Sequence, residues 1–356
     1  MAKNVVIIGG GPAGIEAARN LARLGHTPIL LEKSDRLGGH LARWDRLFPE
    51  GTSAASVLEA MLKDMEGVKY FTDTDITSIN PLAGRYQVRL TNGISITADA
   101  LLVTTGFELF DASLKQEYGY GIYDRVITNA DLETYFQTRD DWRIQDPKVI
   151  GFVHCVGSRD EKVCNRQCSK VCCATAVKQA REIKQLFPEA TVYCFYMDLR
   201  MFGRGYEDMY LNAQLDGVRF VRGRVSEVSE NKDGRLFVKA EDTLMSKPLR
   251  LNMDLLVLMS GIVAPAENKE FARMLKIQLG QDGFFNPQNP IVAPTLSSRQ
   301  GLFFAGTCTG PKTLPETLTE ARAAAMQINE YLTEEKSGRL RFQTLKELRD
   351  SVKRDR

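Results

Sequence analysis

Residues 5–8 are an unbroken apolar run, Val-Val-Ile-Ile, and the stretch Gly9-Gly10-Gly11-Pro12-Ala13-Gly14 follows at once. Ile15, Ala18, Leu21, Ala22 and Leu24 then recur at helical spacing until Gly25, and residues 27–31 return to a mostly apolar run that ends at Glu32. Short β-branched runs bounded by glycine predict buried strands, and apolar positions three and four apart predict a helix packed on them. The order is strand, turn, helix, strand, acid, and its first four parts recur downstream. Residues 148–153 predict a strand, residues from about 173 to 186 carry a helical pattern, and residues 191–196 predict the next strand. Residues 101–106 (Leu-Leu-Val-Thr-Thr-Gly) and 301–306 (Gly-Leu-Phe-Phe-Ala-Gly) each predict a buried strand running into a small-residue turn. Residues 255–259 predict a further strand, and a helical pattern over 316–332 follows Pro315. Strands alternating with helices predict an α/β fold built from parallel sheets.

In the first unit each residue type has a physical task. Gly9 makes the tight turn, Gly11 lets backbone approach a pyrophosphate, and Gly14 allows the helix to pack on the strand. The helix N-terminus offers unpaired N–H groups and the positive end of its dipole to phosphates. Glu32, 21 residues beyond Gly11, is placed to accept from ribose hydroxyls. An acid there favours FAD or NAD over NADP.

Length and charge narrow the class. The chain has 356 residues, enough for two to three domains at roughly 150 residues each. It is 43% apolar and 26% charged, as globular proteins are, and 47 basic against 45 acidic residues leave a net charge of +2. A field suited to nucleic acid is not expected. No apolar stretch approaches the roughly 18 residues of a membrane span, so no direct span is expected. The N-terminus has no basic or hydrophobic leader region, so a cytoplasmic protein is expected.

Seven cysteines in a reducing compartment call for an explanation other than disulfides. Five lie between Cys155 and Cys173. They occupy the place where the second strand-turn-helix unit should carry its phosphate-binding glycines: His154-Cys155-Val156-Gly157-Ser158-Arg159-Asp160, then Cys164, Cys168, Cys172 and Cys173. A metal site has replaced the second nucleotide site, and no NAD(P)H is expected to bind there. Four thiolates suit zinc or an iron–sulfur cluster, and free or redox-active thiols are a third reading. Paired Cys-x-x-Cys knuckles, which favour zinc, are absent. Adjacent Cys172 and Cys173 are awkward for one small ion and easier for a cubane. Arg159, Lys162, Arg166, Lys170 and Lys178, with a helix N-terminus, would offset the negative charge of thiolates and sulfides. Cys194, on a strand, reads as core; Cys308, beside the turn at Gly306, reads as core or as a redox thiol. Cys164 is a spare or substitute ligand.

These residues carry a family resemblance. Lys33 and Gly38-Gly39 after the acid resemble two-dinucleotide-binding flavoproteins, and the turns at Thr105-Gly106 and Gly306-Thr307 resemble those that close around FAD in thioredoxin-reductase-like flavoproteins. Most of those carry an Asp where this chain has Thr307. The motifs Cys155-Val156-Gly157-Ser158-Arg159-Asp160, Cys168-Ser169-Lys170-Val171-Cys172-Cys173 and Tyr196-Met197-Asp198-Leu199-Arg200 are similar to those of the A-type subunit of heterodisulfide reductase. So are Phe202-Gly203-Arg204-Gly205-Tyr206-Glu207, Gly223-Arg224-Val225 and Ala305-Gly306-Thr307-Cys308-Thr309-Gly310-Pro311-Lys312. The resemblance implies a thioredoxin-reductase-like flavoprotein with two Rossmann-like domains, the second converted to an iron–sulfur site. It implies an FAD-binding domain over 1–112 and 266–335, a cluster domain over 113–265, and a basic extension over 336–356. It implies FAD on Gly9, Gly11, Pro12, Ala13, Gly14, Glu32, Lys33, Gly38, Gly39, Thr105, Gly106, Gly306, Thr307, Lys312 and Leu314, with Lys312 tuning the flavin. It implies a 4Fe–4S cluster on Cys155, Cys168, Cys172 and Cys173, and electrons passing between flavin and cluster and on to partner subunits of a heterodisulfide-reductase-like complex. A homodimer is compatible with it.

The chain also departs from the family. The long methanogen members carry a further N-terminal domain and ferredoxin-type motifs that have no counterpart here, and cysteines soon after the Phe-Pro matching Phe48-Pro49, where this chain reads Glu50-Gly51-Thr52-Ser53-Ala54-Ala55. It resembles the short subunit of the heterodisulfide-reductase-like complex of sulfur-oxidising microbes, with the flavoprotein of the quinone-interacting membrane-bound complex as the second reading. A stand-alone NAD(P)H-dependent thiol reductase predicts a second glycine fingerprint and a Cys-x-x-Cys near flavin. An iron–sulfur sensor predicts an effector domain. Residues 336–356 hold eight Lys or Arg and three Asp or Glu, and Leu345, Leu348 and Val352 share one helical face, which reads as a solvated helix or a docking segment for another protein of the complex.

Overall fold

The structure, a computed structural model, describes residues 2–82 and 84–337. In chain order its main elements are β1 (Asn4–Ile8), α1 (Pro12–Arg23), β2 (Thr27–Leu31), α2 (Ala54–Lys63), β3 (Lys69–Phe71), β4 (Ile76–Leu82), β5 (Arg85–Leu90), β6 (Ser95–Ala98) and β7 (Ala100–Val103). Then come β8 (Val126–Thr128), α3 (Asn129–Thr138), β9 (Val149–Val156), α4 (Cys172–Leu186), β10 (Thr191–Tyr196), α5 (Tyr206–Leu215) and β11 (Arg219–Arg222). The last are β12 (Val225–Glu230), β13 (Leu236–Asp242), β14 (Lys247–Met253), β15 (Leu255–Ser260), α6 (Asn268–Leu275), β16 (Leu302–Phe304) and α7 (Leu314–Ser337). The amphipathic face expected at Leu345, Leu348 and Val352 lies outside the described residues.

The architecture is used twice. One parallel five-stranded sheet has the order β16-β7-β1-β2-β3, and a second has β8-β15-β9-β10-β11. Each is joined to an antiparallel three-stranded meander, β4-β5-β6 in the first half and β12-β13-β14 in the second. The correspondence follows from the burial pattern. β1, β7 and β16 and their counterparts β9 and β15 are apolar on both faces, as strands covered on both sides must be. α1 and α7 pack together over one face of the first sheet, with Ala17, Ala18, Leu21, Ala324, Ala325 and Ile328 in one core. The small residues let the two helices approach the strands closely.

The twin centres of the molecule are therefore two strand-to-helix junctions, β1 to α1 and β9 to α4. In parallel sheets the carboxyl ends of such strands are where ligands sit. Among the described residues no helix is long and apolar enough to cross a membrane.

Candidate functional site

The β1–α1 junction is closed to side chains by backbone at two positions and open at a third. Gly9 has φ +109, and a Cβ there would stand 2.4 Å from the Thr104 carbonyl oxygen. A Cβ on Gly14 would stand 2.0 Å from the Gly9 oxygen. Gly11 differs: nothing lies within 4 Å of the place its Cβ would take, because Gly11 borders a cavity. No side chain caps α1, and Pro12 occupies its first turn, where a missing N–H costs nothing. The remaining N–H groups of that turn are open to an anion.

The acid is already engaged. Glu32 Oε2 accepts from the Gly10 N–H at 2.7 Å, and Oε1 accepts from the Ser34 N–H at 2.8 Å and the Ser34 hydroxyl at 2.7 Å. These bonds fix the carboxylate at the cavity edge and leave lone pairs for further donors. Gly38 N–H donates to the Gly10 oxygen at 2.8 Å, and Gly39 lies against Gly11, where a Cβ would come within 3.2 Å of its Cα. Lys33 pairs with Glu267 at 2.6 Å. On the opposite side Gly306 abuts Ala13, and Lys312 Nζ donates to the Gly306 oxygen at 3.1 Å and Thr309 Oγ1 at 2.6 Å, with Glu320 at 3.4 Å.

These groups surround one cavity of about 590 Å³. Gly9, Gly11, Pro12, Ala13, Glu32, Lys33, Gly39, Thr105, Gly106, Thr307, Lys312 and Leu314 line it; Gly14, Gly38 and Gly306 stand behind the wall. The second half supplies the facing wall: Asn129, Glu133, Ser169, Cys172, Thr175, Lys178 and Ser260. Most of this wall is invisible to a reading of the sequence. Ser169 and Cys172 belong to the cysteine motif, but Asn129, Glu133 and Ser260 lie far from any motif, and in the chain Lys178 reads only as a basic neighbour of the cysteines. The structure places it elsewhere: its ammonium is bonded to Glu133, to the Arg46 oxygen at 3.0 Å, and lies 3.4 Å from Glu182. Burial pushes Glu182 up to about 7, against the opposing pull of Lys178.

At the β9–α4 junction the chain bends sharply. Cys155, Arg159, Cys164 and Lys170 all adopt positive φ, between 53° and 62°. Non-glycine residues in that region cost about 1–3 kcal/mol each and concentrate at functional sites. The loop is nonetheless pinned. Ser158 Oγ and Ser169 Oγ lie 2.8 Å apart, the Ile262 N–H donates to Ser169 Oγ at 2.7 Å, and Asp160 and Asn165 pair through their backbones. α4 begins with Cys172 and Cys173 and has no side-chain cap, so its positive end meets sulfur. Cys155, Cys172 and Cys173 are free thiols close enough to act on one another, and the neighbouring Cys172 thiol lowers Cys155 and Cys173 while its own ionisation is pushed up. The Lys170 N–H donates to Cys168 Sγ at 3.3 Å. Burial lowers the basicity of His154, but the thiols of Cys173 and Cys194 outweigh it and raise the ring to about 10, although neither ring nitrogen makes a hydrogen bond of regular geometry.

Other cysteines separate from this group. Cys194 is buried in β10 beside Phe152 of β9. Cys308 is buried, donates to the Val103 and Ala305 oxygens, and is pushed up to about 12 by burial. Cys164 is exposed.

Both junctions fit bound groups. The open space at Gly11 and the uncapped start of α1 suit a pyrophosphate. Among the described residues no three His, Cys, Asp or Glu side chains close on a single-ion site. Arg159 Nη1 is buried with no hydrogen-bond partner and lies beside Cys155 and Cys168, an orphan donor that a negatively charged sulfur centre would satisfy. Of the five basic residues expected around the cysteines, Arg166 pairs with Glu161 and Lys170 with Glu316, while Arg159 pairs with Asp198 through Nη2 and also acts on Cys155 and Cys168.

Over residues 3–139 the chain matches the family described as pyridine nucleotide-disulphide oxidoreductase. It is 30% identical to the A-type iron-sulfur subunit of the CoB–CoM heterodisulfide reductase of Methanocaldococcus jannaschii, over 92% of this chain and 64% of that protein. It is 31% identical to the first of the corresponding proteins of Methanopyrus kandleri, over 91% of this chain and 63% of that protein. The chain thus spans less than two thirds of the length of these relatives. The thioredoxin reductases of T. acidophilum and Lactococcus lactis superpose with TM-scores of 0.64 and 0.66 at 17% and 16% identity, over 92% and 93% of this chain and 98% and 99% of theirs. The fold is thioredoxin-reductase-like.

Proposed function

Because the chain belongs to the family of A-type heterodisulfide reductase subunits, we propose that it is the FAD- and 4Fe–4S-carrying electron-transfer subunit of a heterodisulfide-reductase-like complex in thiol and disulfide metabolism, on the sulfur-oxidising side. The observation that carries this reading is the shared cavity: Gly11 of the first junction and Cys172 of the second line the same space. When bound, FAD exchanges electrons in pairs or singly and the cluster exchanges them singly, so the two together convert between two-electron and one-electron traffic.

The chain's own residues position and tune. Gly9, Gly11 and the start of α1 cradle the pyrophosphate, and Glu32 orients the ribose while held by Gly10 and Ser34. Lys312, tied to the turn at Gly306, brings a positive charge to the cavity and favours a ligand that gains negative charge on reduction. Cys155, Cys168, Cys172 and Cys173 hold the cluster, and Arg159 with the α4 N-terminus offsets its charge. The residues between β9 and α4 fill the junction that a nicotinamide dinucleotide would need, so electrons arrive from and leave to partner subunits.

Anaerobic purification followed by FAD, iron and sulfide analysis tests the reading. One FAD, four irons and four sulfides per chain are expected, with iron lost in Cys155→Ser, Cys168→Ser, Cys172→Ser and Cys173→Ser and kept in Cys194→Ser. Stoichiometric zinc without iron would overturn it.

A further inference from the structure

Asp198 is one carboxylate shared among three arginines. Arg159 Nη2 donates to its Oδ2 at 2.7 Å, Arg222 Nη2 lies 3.8 Å from its Oδ1, and Arg200 adds its field. Arg224 joins them, with Nη2 donating to the Arg159 oxygen at 3.4 Å and Nε meeting the Met197 sulfur at 2.8 Å. Arg224 also acts on Asp160, which Lys115 already holds at 2.6 Å, so four guanidiniums and an ammonium face two carboxylates here and concentrate positive charge in a chain whose total is only +2. Arg200 and Arg224 make no ion pair among the described residues, and both, with Arg222, are exposed.

This patch lies directly over the cysteine loop. Cys173 Sγ contacts the Asp198 oxygen at 3.7 Å, and Arg159 acts on Cys155 and Cys168. Arg159 is thus shared between Asp198 and the thiols, while Arg200, Arg222 and Arg224 reach the surface with their charge only partly matched. Phe202, 60% exposed, stands between Arg200 and Arg204 in sequence. The loop that carries it is braced: Tyr206 meets Phe48 edge-on at 5.7 Å, and Gly205 rests on Pro49. A rigid loop offering arginines around an exposed aromatic ring has the composition of an interface centre.

We propose that this arginine face is where a small acidic one-electron carrier protein docks on the cysteine-loop centre. The inference rests on the reading that the loop holds a cluster. Unbalanced positive charge at the surface steers an acidic partner and aligns it, and the Cys173–Asp198 contact puts the sulfur centre one residue layer below. Each encounter moves one electron: the reduced centre loses it, the oxidised carrier gains it, and no bond is made or broken.

The test uses the anaerobic, cluster-loaded full chain reduced with dithionite and freed of excess reductant. An acidic single-cluster ferredoxin and a basic cytochrome c serve as oxidants in stopped-flow mixing over a range of salt. The rate with the acidic carrier should fall as salt rises, and the rate with the basic carrier should rise. Arg200→Glu/Arg222→Glu should slow the acidic carrier at least tenfold at low salt and remove the salt dependence; the milder Arg200→Gln/Arg222→Gln should do so by less. Iron content and visible spectrum of each variant report whether the centre is intact. Salt-independent rates with iron in place overturn the docking face alone, whereas a protein without iron overturns the cluster reading beneath it. A change of oligomeric state in the variants, read by light scattering, would assign the face to a second copy of this chain and also overturn the proposal.

Discussion

The Lys178 ammonium is clamped on the Glu133 carboxylate at the cavity wall, with side-chain exposures of only 6% and 2%. The pair links α4 to α3, and Gln179 ties the same carboxylate to Asn129. Removing one partner of such a pair strands a buried charge. Lys178→Met should therefore cost roughly 3–5 kcal/mol of stability, and adding Glu133→Gln should recover most of it. Urea unfolding followed by circular dichroism measures both. A loss below about 1 kcal/mol would show that solvent reaches the pair.

Glu182 sets a pH dependence. Burial first, opposed by Lys178 and reinforced by Glu133, lifts it to about 7 from an unfolded value of about 4.5. An acid whose folded pKa is raised binds its proton more tightly when folded. Its contribution is favourable below the unfolded value and is lost as pH rises from about 4.5 to about 7. Glu182→Gln should flatten stability over that window, with a gain on the order of 3 kcal/mol at pH 8. An unchanged pH profile in the variant would mean that Glu182 is solvated.

Two glycines of one turn should behave oppositely. The Cβ of Gly11→Val has no protein atom within 4 Å, so the fold should survive while flavin retention is lost. Gly14→Ala drives a Cβ into the Gly9 oxygen, so the fold itself should be destabilised by several kcal/mol. Flavin content and melting temperature of the two variants, side by side, separate ligand space from packing space. A yellow Gly11→Val protein with normal flavin stoichiometry would contradict the cradle.

Much of this architecture is legible in the chain because it is local. The apolar run before Gly9 and the periodic residues after Gly14 specify strand, turn and helix within some thirty residues, and β1, α1 and β2 form where that pattern places them. The cysteines announce themselves by crowding. The facing wall of the cavity does not, since Glu133, Lys178 and Ser260 are brought together only by the packing of α3, α4 and β15. Nothing in a lysine's sequence neighbourhood distinguishes a partner of buried Glu133 from a neighbour of thiolates. Glu32 shows the converse: its place at the end of β2 is readable, but its bonds to Gly10 and Ser34 depend on how the next loop folds back.

The measurement that bears most directly on the account is anaerobic reductive titration of the full chain. With dithionite, three electrons per chain should be taken up, two by FAD and one by the cluster, with both visible signals bleaching. With NADH or NADPH in stopped flow, neither should bleach, because the cysteine loop fills the second strand-to-helix junction. Rapid stoichiometric bleaching of the flavin by NADH, or uptake of only two electrons by protein that carries zinc, would contradict it.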